Sequence, residues 1–138
     1  MKKLFFGFSI LILLSSCNLN KKFEKHTVEK LYVELKKEKN FESDLNETML
    51  FEFLKNVNIA ELKKGKKIEQ DYFFESFKCD CQDKLSISYS NENNKFELNI
   101  YEESFEKDLD WCPETTYLFS FQIESTEIKN VMLEQIAG

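Results

Sequence analysis

The chain has 138 residues, with 25 acidic side chains against 19 basic ones and a net charge of −6. All the basic residues are lysines; there is no arginine. This balance excludes nucleic acid as a partner, because phosphate contacts need net positive surface and bidentate base readout belongs to arginine.

The first element in chain order is an address. Lys2 and Lys3 precede Leu4 to Leu14, an almost wholly apolar run, and Ser15 and Ser16 lead into Cys17. A positive start, a short apolar stretch and small residues make a cleavable signal. At about 11 residues the stretch is too short for a bilayer, which takes on the order of 20. Leu14-Ser15-Ser16-Cys17 resembles the lipobox of bacterial lipoproteins. The resemblance implies a diacylglyceryl group on the Cys17 sulfur and cleavage before Cys17. Its partner is then the membrane, reached through lipid on Cys17, and two or three acyl chains hold a protein firmly there. Asn18 follows, with neither an aspartate nor an acidic cluster. By the same resemblance this favours an outer membrane, with the domain facing the periplasm, or else the extracellular side.

Residues 1–16 are thus read as signal peptide, 17–26 as a lipidated tether and 27–138 as a single domain. Removing the signal leaves about 122 residues, enough for one domain, and deepens the net charge to about −8. Thr27 is the expected N-cap of a first helix, with Val28, Leu31, Tyr32 and Leu35 on one face. Ser43 is the expected cap of a second, whose stripe is Leu45, Met49, Leu50, Phe53, Leu54 and Val57. Ile68 to Cys79, rich in aromatics, reads as a strand. Leu85, Ile87 and Tyr89 alternate with serines; Phe96, Leu98 and Ile100 alternate after the polar turn Asn91–Asn94, which makes a hairpin. Residues 103–115 read as a loop. Tyr117, Phe119, Phe121 and Ile123 form the next alternating run, and Ile128 to Ile136 closes the sheet. The order predicts an α+β domain: two N-terminal amphipathic helices packed on one face of a four- to five-stranded antiparallel sheet. Helix pair followed by sheet is loosely similar to the small outer-membrane assembly lipoproteins of the β-lactamase-inhibitor-like fold. Their glycine-containing motifs are absent, so no residue is carried over.

Candidate sites are few. In an oxidising envelope, Cys112 is expected to pair with Cys79 or Cys81. The loop closed would be about 32 residues, worth roughly 3–4 kcal/mol in the chain-entropy model. Neighbours two apart, Cys79 and Cys81 share a strand face and make a tight ring if joined to each other. The loop Glu102–Thr116 holds the only tryptophan, Trp111, with Glu106, Asp108 and Asp110. Anchored at Cys112, it suits recognition of a basic envelope protein. His26 is the lone histidine and lies in the expected tether, so no triad, cofactor or metal site is read. The expectation is a non-catalytic binding module: an inhibitor, immunity protein or assembly factor. The alternatives are a carrier of small apolar ligands between sheet and helices, or a thiol metal or redox site at Cys79, Cys81 and Cys112.

Overall fold

The computed structural model describes residues 21–72, 82–103 and 112–137. Three helices, α1 (Lys25–Lys37), α2 (Glu47–Leu54) and α3 (Ile59–Lys63), precede five strands. The strands are β1 (Ile68–Tyr72), β2 (Asp83–Ser90), β3 (Lys95–Glu103), β4 (Glu114–Glu124) and β5 (Glu127–Ala137). They form one antiparallel sheet in the order β1-β2-β3-β4-β5, each strand beside its neighbour in sequence. The fold is α+β. The signal peptide, Cys17, Cys79, Cys81 and Trp111 lie outside the described residues.

The alternation read from the sequence sets the register. Leu85 stands opposite Ile100 and Ile87 opposite Leu98; Leu98 then faces Phe119, and Ile100 faces Tyr117. All six are buried, because period-two side chains on paired strands share a face. The same core takes in Leu31 and Leu35 of α1, Leu50 and Leu54 of α2, and Leu62 of α3. α1 lies against α2 and β5, and α3 against β2.

Both helix starts differ from expectation. α1 begins at Lys25, and Thr27 is a buried residue inside it. Its N-cap is Glu24, whose side chain makes no capping bond. What fixes the entry is apolar: Phe23 and Val28 hold the two positions of a hydrophobic staple, and both are buried. Ordered chain therefore starts before Thr27, inside the stretch expected as tether. Lys22 also pairs with Asn58 as an isolated bridge. The second helix is capped by Asn46, which accepts from Met49 N at 2.9 Å. Ser43 instead holds a tight turn, accepting from Leu45 N at 2.9 Å.

Two helices were expected and the described residues hold three. Asn58 caps α3 by accepting from Ala60 N at 2.9 Å. The helix ends in a Schellman turn: Gly65 N donates to Leu62 O at 2.9 Å and Lys66 N to Glu61 O at 3.1 Å. Gly65 has φ +91°, where a Cβ is strained. The strand expected over Ile68–Cys79 is β1 as far as Tyr72; the rest lies outside the described residues. The expected loop 103–115 is narrower, since β3 runs to Glu103 and β4 starts at Glu114. Cross-strand pairing of Glu102 with Thr115 and Tyr101 with Thr116 extends the ladder there.

Near the far edge, the pairing of β4 with β5 slips between Ser120 and Gln122, a β-bulge. Asn130 sits there with φ 51°, and its side-chain amide donates to Gln122 Oε1. Replacing Gly65 with alanine should destabilise the domain by about 1–2 kcal/mol, since an L side chain is disfavoured at that φ. Thermal melts read this as a Tm drop of several degrees; an unchanged Tm would contradict the positive φ.

Candidate functional site

β1 ends and β2 begins at the same end of the sheet where β3 ends and β4 begins. Tyr72 pairs with Asp83 there, and Glu103 with Glu114. Glu103 is the hub of this end. Its Oε2 accepts from Gln82 N at 2.7 Å, and its Oε1 accepts from the Tyr101 hydroxyl at 2.7 Å. Its own N–H donates to Oδ1 of buried Asp83 at 3.1 Å. A charged acceptor strengthens such bonds, so the roots of the two connections are joined across β2 and β3.

A second cluster lies behind it. The buried Ser43 hydroxyl donates to Glu102 Oε1. Lys36 Nζ donates to Ser43 O at 3.4 Å and stands 5.2 Å from the centroid of the Phe41 ring. Phe41 meets Tyr117 edge to face at 5.0 Å. The Tyr117 hydroxyl is held above its usual range, first by burial and then by the Glu102, Glu42 and Asp44 carboxylates; a bond from the Glu42 backbone offsets part of this. Tyr101 is raised in the same way, by burial first, then by Glu103 and Glu114. Glu42, Asp44, Glu102, Glu103 and Glu114 thus form an acidic rim at the end where the two connections depart.

Cys112, two residues before β4, is disulfide-bonded. Its expected partners Cys79 and Cys81 lie outside the described residues, as do Trp111, Glu106, Asp108 and Asp110. Of the residues expected in the recognition loop, the structure describes Glu102, Glu103 and residues 112–116, and gathers them at one end. Sequence reading missed Glu42 and Asp44 as members of the rim, and Ser43, Tyr101 and Tyr117 as their neighbours. Nothing in local pattern marks them; long-range register brings them there. His26 is exposed on α1, 3.8 Å from a Glu29 oxygen. Among the described residues no three His, Cys, Asp or Glu side chains cluster to hold a metal ion. No helix among them is long and apolar enough to cross a membrane.

The comparison with known families speaks to the other end of the chain. Residues 1–18 match the prokaryotic membrane lipoprotein lipid attachment site. This chain is a bacterial lipoprotein. The match agrees with the Leu14-Ser15-Ser16-Cys17 motif, and it makes the lipoprotein a membrane-anchored protein of the bacterial envelope. No curated protein and no solved structure matches the lipoprotein.

The raised tyrosines make a pH signature. Free tyrosine ionises near 10.0, so above that pH the unfolded chain loses phenolic protons that the folded one keeps. The folded state then binds more protons, and stability falls as pH rises past 10. Denaturant titrations across that range should show the fall. Tyr101→Phe should flatten it, and an equal slope in both proteins would contradict the assignment.

Proposed function

We propose that this lipoprotein is a non-catalytic binding module, tethered to the outer membrane and facing the periplasm, that engages a basic envelope protein through its acidic end. The observation that carries the reading is the rim itself. Five carboxylates converge at one end, on a frame fixed by Glu103, beside a disulfide-bonded Cys112. Such a field speeds and selects encounters with a positive surface. The two connections that leave from this rim bring five further acids in sequence, Glu75, Asp80, Glu106, Asp108 and Asp110, against Lys78 and Lys107, and the aromatic Trp111. The shared end of β1 and β4 from which they run, with Cys112 disulfide-bonded, supports pairing of Cys112 with Cys79 or Cys81, which would tie one connection to the other.

The packing supports a binder over a carrier. Phe96 touches the rings of Phe23, Tyr89 and Phe121 at 4.9–5.6 Å between centroids. Rings a carrier would line its cavity with are here in contact with each other. Residues of α1, α2 and α3 share one core with those of the sheet, and recognition on this reading falls to the rim. His26, exposed and near one carboxylate, suits a surface role rather than acid–base catalysis.

The test is retention from envelope extract on the immobilised mature lipoprotein. A basic protein should be retained at low salt and released near 1 M salt, where screening shortens to about 3 Å. Reversing charge at Glu42, Glu102 and Glu114 to lysine should abolish retention while the circular dichroism spectrum stays unchanged. Retention indifferent to both salt and charge reversal would overturn the reading.

A further inference from the structure

The charges of this lipoprotein are sorted along the sheet, and the end opposite the acidic rim is lysine-rich. Residues 55–67 hold five lysines against one glutamate, and residues 21–25 hold three against one. The fold joins these two stretches. Ile59 N donates to Lys21 O at 3.0 Å, and Lys22 pairs with Asn58. The Schellman turn at Gly65 then folds Lys63, Lys64, Lys66 and Lys67 around the tip of α3, all exposed. The β2–β3 turn lies alongside, since Asn91 Nδ2 donates to Lys63 O at 3.3 Å.

Acids at this end temper the field without cancelling it. Glu61 pairs with Lys64 at 3.1 Å and Glu69 with Lys67 at 3.4 Å; Glu52 pairs with Lys55. Glu24, Glu92 and Glu124 add negative charge nearby. Lys21, Lys22 and Lys66 make no ion pair among the described residues, and exposed pairs exchange readily with competing anions.

The anchor decides what this surface meets. Cys17 stands four residues before Lys21, a reach of at most about 14 Å when fully extended. That is comparable with the screening length of about 8–10 Å at physiological salt. We propose that the lysine end docks on anionic phospholipid headgroups, so that the domain stands on its membrane with the acidic rim pointing away. This rests on the lipid-anchored reading of Cys17. The acyl chains hold the protein at the surface, and the tether's high effective concentration makes a weak ionic contact count. Docking then fixes an orientation that the tether alone leaves free.

The acylated protein, reconstituted in vesicles, tests this by lysine footprinting with a water-soluble acetylating reagent. One vesicle is phosphatidylcholine alone; the other adds phosphatidylglycerol. On the anionic vesicle at low salt, labelling of Lys21, Lys22, Lys63, Lys64 and Lys66 should fall about threefold or more. Exposed Lys39, beyond the other end of α1, should label equally on both vesicles, and high salt should restore the rest. Replacing Lys63, Lys64, Lys66 and Lys67 with glutamine should leave Lys21 and Lys22 labelled alike on both lipids. Flotation with both vesicles but equal labelling on both overturns the docking and leaves the anchor standing. Protein that floats with neither overturns both.

Discussion

The contact between Phe23 and Phe96 ties the anchored end of the chain to its sheet. The two rings meet edge to face at 5.6 Å, and Phe96 also touches Tyr89 and Phe121. One side chain on β3 thus joins β2, β4 and the segment that enters from the membrane. Any pull on the lipid reaches the core through Phe23 and the bridge of Lys22 to Asn58. The chain is therefore tied into the core from Lys22 onward, five residues after Cys17. Both functional proposals depend on this shortness. A long tether would let either end of the molecule face the bilayer.

Much of the sheet was legible in the sequence. Leu85-Ser86-Ile87-Ser88-Tyr89 and Phe96-Glu97-Leu98-Asn99-Ile100 alternate so cleanly that only a half-buried hairpin satisfies them, and it is what forms. Helix starts were less legible. Thr27 and Ser43 have the chemistry of caps, yet a cap is defined by what the chain does before it, and burial of Phe23 moved the first helix earlier. Asn46 took the second, while Ser43 was claimed by Glu102, 59 residues away. The short α3 escaped because five residues show no period; the Asn58 cap and the Gly65 stop were its only local marks. The acidic rim was half legible. Its loop acids stand together in sequence, but Glu42 and Tyr117 join them through pairings that no window of the chain displays.

Sorting of charge carries through from composition to architecture. A net charge of −6 describes the whole chain and neither of its ends. Lysines gather where α3 stops and where the chain enters; carboxylates gather where β1–β2 and β3–β4 connections leave. Because strands alternate in direction, every second connection falls at the same end of the sheet, which brings Glu103 and Glu114 to the same end as Tyr72 and Asp83. The meander turns a pattern in sequence into a dipole along the molecule, with lipid at one pole.

A last consequence concerns the order in which such a domain completes itself. Each strand pairs with its sequence neighbour, which keeps paired strands close in sequence and favours quick assembly of the sheet. The helical layer is different. Lys30 on α1 finds Glu127 on β5, 97 residues later, and α1 packs against that same last strand. A chain emerging from the export channel has its first helix in hand long before the strand that receives it. Closure of the helical layer waits for β5, so a truncation that removes only that strand takes from α1 its partner Glu127 and the surface it packs on, while Phe23 keeps its place on Phe96.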